Sequence, residues 1–422
     1  MTGIPDHWRW STLNDLRADE PGAITDGPFG SNLTSAHYTS AGPRVVRLQN
    51  IGDGRFNAAD AFIAQSHFES LRKHSVEPGD LLIASLGESL PRACLAPDWL
   101  GPAIVKADCV RARLGPEVDP RWVLYAIQTP FVRKWANEQL HGVGRPRLGL
   151  QVIRALPVPL PPLPEQRRIV DLLEGHLSRL QAGRRALGTA HTRLESLRAS
   201  QTWSLTHGLS GVASRLSEVA EVRLGRQRSP GNHNGDNMHP YLRAANVDWD
   251  RLRLEDVKEM NFSASEVQTF ALRPNDILVV EASGSPGEVG KSAIYRDEVL
   301  GSVCFQNTLI RVRCHRVNPE FMQRFLLAEA MNGRFIAGSR GVGIHHIGGS
   351  KLAAWPVVVP SAIDQAAAVR RLAEADAGIG RLGSELGRQK ARLAQLRRSL
   401  LVAAFSGSLT ESWPDPEDSV HD

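Results

Sequence analysis

The chain has 422 residues, room for two to three domains at about 100–200 residues each. Hydrophobic residues make up 42% and charged residues 23%, the balance of a globular protein with a buried core, which excludes a chain disordered throughout. The net charge of +5 permits an acidic partner such as nucleic acid, while four cysteines without a C-x-x-C pair exclude a disulfide scaffold and argue against a zinc site. The opening MTGIPDHWRW lacks the apolar stretch of a secretion signal, and no run of about 18 apolar residues offers a membrane span, so a reducing cytoplasm is expected.

In chain order, the first half offers strands at RVVRLQNI (44–51), DLLIASL (80–86) and IVKADCVRARL (104–114), then a helix after Pro120 through RWVLYAIQTPFVRKWANEQL, proline suiting the first helical turn. From Pro164 to about His207 the pattern is helical with a heptad period. One position holds Leu173, Leu180, Leu187, Leu194 and Gln201, and its partner holds Ile169, His176, Gly183, Ala190, Leu197 and Ser204. The second half predicts strands at DILVVEA (276–282) and TLIRVRC (308–314) and a helix after Pro319. A second heptad frame then follows: Leu372, Ile379, Leu386, Leu393 and Leu400, with Ala368, Ala375, Leu382, Gln389, Leu396 and Ala403. A helix of about 44 residues is a rod of roughly 65 Å. Gly183, Gly378, Gly380, Gly383 and Gly387 each cost about 1 kcal/mol against alanine in a helix, and close helix packing is the expected compensation.

These halves are copies of one unit. PVPLPPLPEQ (157–166) matches PVVVPSAIDQ 199 residues on, and the same offset pairs Gly142-Val143-Gly144 with Gly341-Val342-Gly343 and Asp119-Pro120 with Asn318-Pro319. Nearer the start the offset is 196, pairing Arg47-Leu48-Gln49-Asn50 with Arg243-Ala244-Ala245-Asn246 and Pro78-Gly79-Asp80 with Pro274-Asn275-Asp276. The expected organisation is a mixed α/β domain (1–156), a helix segment (157–210), a second α/β domain (211–355), a second helix segment (356–410) and an acidic, disordered tail (411–422). Two linked copies make a pseudo-dimer, which suits a bipartite target.

DGPFGSN (26–32) with PRVVRLQNIGDG (43–54) resembles the start of a target recognition domain of a type I restriction–modification specificity subunit. LGRQRSP (224–230), YLRAANV (241–247) and LRPNDILVVEASGSPGEVGKSAIY (272–295) resemble another branch of that family. PLPPLPEQRRIVDLL (159–173) is similar to the opening of its central spacer helix, and LRRSLLVAAFSGSLT (396–410) to its closing helix. The resemblance covers nearly the whole chain. It implies an α/β protein in which two mixed α/β target recognition domains are separated by two long antiparallel coiled-coil spacer helices, with a pseudo-two-fold internal repeat. It also implies a non-catalytic, DNA-binding subunit whose domains each read half of a split site. The implied partners are double-stranded DNA, two methylation subunits and restriction subunits. No cofactor is expected in this chain; S-adenosylmethionine, ATP and Mg are implied in the partners. Partner-facing or spacer candidates are Glu165, Gln166, Leu173, Leu180, Leu187, Leu194, Asp364, Gln365, Leu372, Ile379, Leu386 and Leu393. One departure is that the second spacer opens PSAIDQAAAVRRL and lacks the double arginine of the first.

Affinity for DNA needs lysine and arginine against phosphates, and specificity needs polar side chains at base edges. Glycine-flanked loops single out Ser31, Asn32, Arg145, Arg147, Arg226, Arg228, His345, His346 and Lys351 as candidates. Arg47 and Arg243 recur with Asn50 and Asn246, a frame better suited to bonding the backbone than to reading bases. GSPGEVGKS (284–292) misses the P-loop spacing, no adenine-methylase motif occurs, and the histidines lack further ligands at metal spacing. The rival reading is a non-catalytic coiled-coil adaptor that binds proteins only; a stand-alone enzyme is disfavoured by the missing motifs.

Overall fold

Short runs of Val, Ile and Leu bounded by Pro, Gly, Asp and Asn set up the same sheet in both halves. The computed structural model describes residues 3–87, 89–140, 145–337 and 345–409. It divides into two compact units, one of Met1–Ala186 with Gln389–Asp422, the other of Leu187–Arg388.

In the first unit an antiparallel sheet takes the order Ile24–Asp26, Cys109–Ala112, Leu81–Ala84, Arg92–Leu95. In the second the order is Ala220–Leu224, Leu309–Cys314, Ile277–Val280, Ser292–Ile294. The strands Leu81–Ala84 and Ile277–Val280 are buried along their whole length, as continuous apolar runs in the centre of a sheet must be. A second sheet in each unit contains a parallel pair, Tyr38–Val46 with Ala103–Val105 and Met238–Leu242 with Cys304–Phe305. The repeat therefore extends to topology.

Some predicted elements end sooner than their composition suggests. The strand expected over 44–51 instead starts at Tyr38 and stops at Val46, because the Asn50 side chain takes the Arg47 N–H and donates to the Asn57 and Ala59 carbonyls, closing a turn. Asn246 builds the same turn with the Arg243 N–H and the Arg253 and Asp256 carbonyls. The run 104–114 is two strands, with Asp108 at φ 66° in the turn between them. The helix after Pro120 breaks into Pro120–Ile127 and Pro130–Glu138, since Pro130 has no N–H to continue the first. The helix after Pro319 ends at Met331, before Gly333 in the left-handed conformation. The matched segments Pro157–Leu160 and Pro356–Val359 are strands, paired with Arg9–Thr12 and Val212–Arg215 respectively.

The heptads form two single helices, Leu163–His207 and Ala362–Phe405. In the second unit Leu194 lies against Gly383, and Arg198 Nε meets Asp376 Oδ1 at 3.1 Å; residues rise along one helix as they fall along the other, so the helices run antiparallel. The leading heptad leucines lie on the seam, Leu173 and Leu372 fully buried and Leu180, Leu187, Leu194, Ile379, Leu386 and Leu393 half-buried. The partner position fares differently: Leu197, Leu382 and Leu396 are 45%, 56% and 44% exposed. Their neighbours one residue on, Arg198, Gly383 and Arg397, are turned inward instead. An α-helix drifts about 20° per heptad against a strict 3.5 period, and in place of these leucines Arg198 meets Asp376, Gly383 lies near Leu194 and Arg397 donates to Gln128. Among the described residues no helix is long and apolar enough to cross a membrane.

Close packing compensates only some helical glycines. A Cβ on Gly183 would sit 3.4 Å from a Leu393 methyl, and one on Gly383 would sit 3.8 Å from Leu194. At Gly378 only the Arg381 guanidinium is near, and Gly380 and Gly387 face open space. Gly387→Ala should therefore stabilise the second unit by about 1 kcal/mol, since alanine gains helix propensity and meets nothing. A thermal melt that moved downward would contradict this account of the helix.

Candidate nucleic-acid interface

Two loops converge at one end of the main sheet in each unit. The first leaves the sheet at Gly27 or Gly225. A Cβ on Gly27 would lie 2.1 Å from the Lys106 carbonyl carbon, and one on Gly225 would lie 2.3 Å from the Gln306 carbonyl oxygen, so both positions admit only glycine. The second loop returns at Leu148 or Ile347, whose N–H groups donate to the Ser85 and Glu281 carbonyls. Arg147 and His346 immediately precede these anchors and occupy equivalent places. Arg147 bridges to Leu86, while His345–His346 pairs with Ala282–Ser283.

Arg147 is ion-paired to Asp108 at 2.8 Å and lies over the exposed Phe29 ring, 5.2 Å from its centroid. His346 Nδ1 faces the Glu281 carboxylate at 3.2 and 3.3 Å. Arg145 and Arg228 are exposed. Ser31 and Asn32 sit in the exposed turn Gly30–Asn32, where Asn32 donates to the Phe29 carbonyl and its own carbonyl faces His67 Nε2. The GVG motifs (142–144 and 341–343) and the tail (411–422) lie outside the described residues.

Arg226 and Lys351 are differently placed. Arg226 is 13% exposed, donates to Glu266 at 2.6 Å and to the Asn261 carbonyl, and covers Phe262. Its guanidinium is committed to holding the loop. Lys351 Nζ donates to the Phe335 carbonyl at 3.0 Å.

The helix-start residues are also bound within the chain. Gln166 accepts from the Asp119 N–H and donates to the Pro161 carbonyl; Gln365 accepts from the Asn318 N–H and donates to the Pro360 carbonyl. Both are buried braces that tie the start of a long helix to the start of the preceding proline-led helix. Glu165 accepts from the Trp8 indole N–H at 3.1 Å, and Asp364 accepts from the Ser361 hydroxyl at 2.6 Å.

Four charge clusters lie outside the residues that the loops single out. On the sheet, Arg111 and Arg113 gather with Asp80, Glu20 and Glu77, and Arg311 and Arg313 with Asp276 and Glu221. The signal lay in R-x-R within a strand, which puts both arginines on one face. Burial pulls the Arg111 and Arg311 guanidinium pKa values down, whereas the Asp80 and Asp276 carboxylates raise those of Arg113 and Arg313. In the second unit Asp248 meets Arg251, Arg253 and Lys291. Burial pushes its carboxyl up, but the Arg253 side chain, the Trp249 N–H and Arg251 outweigh burial and hold it well below the usual carboxylate range. Lys291, the lysine of GSPGEVGKS, also pairs with Glu288, and a strand rather than a helix follows it. Arg198 and Arg324 bracket Asp250 and Asp376, fastening both long helices to the globular part of that unit.

All four cysteines are free, and burial pushes each thiol up to about 12. Such thiols stay protonated and unreactive at neutral pH.

Residues 121–186 match the type I restriction modification DNA specificity domain. The chain is 23% identical to the EcoKI specificity subunit of Escherichia coli K12, over 87% of this chain and 83% of that protein. It is 22% identical to the StySPI specificity subunit of Salmonella potsdam over the same shares, and 21% identical to the EcoBI subunit of Escherichia coli over 98% and 88%. Among solved structures, a chain from work on complex assembly and conformational transition of the type I R-M system superposes with a TM-score of 0.71 at 19% identity, covering 96% of this chain and 99% of that one. The HsdS subunit of Thermoanaerobacter tengcongensis gives 0.50 at 19%, covering 96% and 100%. With the duplicated sheet, the paired long helices and these relatives all in agreement, the chain is similar along nearly its whole length to the type I restriction–modification specificity subunits.

Proposed function

We propose that each globular part reads one half of a split double-stranded DNA sequence, and that the two long helices set the gap between the halves. In this reading two methylation subunits dock on the chain and supply adenine methylation from S-adenosylmethionine, and restriction subunits supply ATP- and Mg-dependent cleavage. The work takes place in the cytoplasm. The observation that carries the reading is the repeat itself: one loop-bearing sheet is built twice, with Arg147 at one loop end and His346 at the other. Equal scaffolds with unlike polar ends suit two unlike half-sites.

The test is a map of methylated adenines in the host genome, with and without this gene. A split, asymmetric motif that vanishes with the gene is expected. A continuous short motif, or a map indifferent to the gene, would refute the reading.

A further inference from the structure

The loop ends of the two units share a device built from different residues. In the first unit Ser85 N–H donates to the Asp108 carbonyl, and in the second Glu281 N–H donates to the Thr308 carbonyl. Ser85 therefore corresponds to Glu281, and Asp108 to Thr308. The carboxylate has changed strands: it stands at 108 in one unit and at 281 in the other. Yet each carboxylate faces the one basic side chain that directly precedes the anchored Leu148 or Ile347. Arg147 remains 47% exposed and His346 55%, while Asp108 and Glu281 are 24% and 15% exposed. A half-exposed basic group braced by a better-buried acid is held in one orientation at low entropic cost, as base readout requires.

We propose that Arg147 and His346 are the matched specificity-determining residues of the two units, each reading one base pair of its own half-site. This rests on the reading of the chain as a DNA-specificity subunit. Asp108 and Glu281 are positioning residues. Their chemistry makes the two readers opposite in kind. Arg147 presents only donors, and the N–H groups not engaged by Asp108 suit the O6 and N7 acceptors of guanine. A carboxylate can only accept, so the Nδ1–H of His346 donates to Glu281, and the tautomer this contact selects has Nε2 as its acceptor. In the major groove the donors it can take are the amino groups of adenine and cytosine.

The experiment uses the complete methylating complex with wild-type chain, Arg147→Ala or His346→Ala, and maps methylated adenines genome-wide. Each alanine variant should relax discrimination at one position of one half-site by about 5- to 150-fold and leave the other half-site as strict as before. The two variants should relax opposite halves. Should an alanine variant abolish methylation altogether, Arg147→Lys and His346→Gln decide in its place, and relaxation at one position is again expected. Variants whose motif stays as strict as wild type in both halves, whether or not total methylation falls, would overturn the assignment and leave the subunit reading intact. A wild-type complex that yields no two-part motif would instead sink the reading on which the assignment rests.

Discussion

Trp122→Ala should destabilise the first unit by about 3–5 kcal/mol, the range for truncating a buried large aromatic side chain. Trp122 is 0% exposed. It meets Trp8 edge-on at 5.5 Å, lies 4.3 Å from Phe405 at the end of the second long helix, and donates its indole N–H to the Pro159 carbonyl at 2.8 Å. One side chain thus joins the first residues of the chain, the strand before the first long helix and the last turn of the second. Alanine leaves a cavity among them and an unsatisfied buried carbonyl, and the surrounding strands limit collapse. Trp122→Phe keeps most of the volume and loses the donor, so it should cost less, about 1–3 kcal/mol. Urea unfolding followed by circular dichroism measures both. An alanine variant within about 1 kcal/mol of wild type would show that this aromatic cluster does not hold the unit together.

Much of this architecture was legible because it repeats. The recurring R-x-x-N frame marked Asn50 and Asn246 for backbone bonding but not for a turn: the run 44–51 reads as one strand, and the amide's bonds to its own backbone end it at Val46. Leu173 and Leu372 are recognisable as seam residues because apolar periodicity reports burial. What the sequence hides is which partner a polar side chain finds. Arg226 and Arg228 stand two residues apart in one loop, yet the first is spent on Glu266 and the second is exposed. That difference is set by Glu266, 40 residues away in the chain. Leu197 and Leu396 were misplaced for another reason. Whether the position three or four residues after a seam leucine turns inward depends on what packs beside the helix, and Arg198 and Arg397 have the Asp376 carboxylate and the Gln128 amide to meet. Arg111 and Arg311 defeat the ordinary expectation that arginine is exposed, because carbonyls of Ala23 and Lys73, or of Thr269 and Ala271, receive their buried N–H groups.

The same arginine clusters distinguish the two copies energetically. Asp276→Ala should cost the second unit about 3–5 kcal/mol, the loss expected when one partner of a buried pair is removed. Asp276 is 1% exposed and takes two bonds from Arg313 at 2.7 Å and the Arg273 N–H at 2.7 Å. Without it Arg313 and the buried Arg311 lie two residues apart on one strand face, with Glu221 as the carboxylate paired to Arg311. Asp80→Ala is the matching change in the first unit, but there Arg113 keeps Glu20 at 2.9 Å and Glu77 at 3.2 Å. Its charge stays compensated, so Asp80→Ala should cost less. Hydrogen exchange of Leu309–Cys314 in one variant and Cys109–Ala112 in the other reads the two units separately, without assuming that they unfold together. Protection should fall further in the Asp276 variant. Equal losses would mean that the surviving carboxylates do not compensate Arg113, and that loss of the buried acid alone sets the cost in both copies.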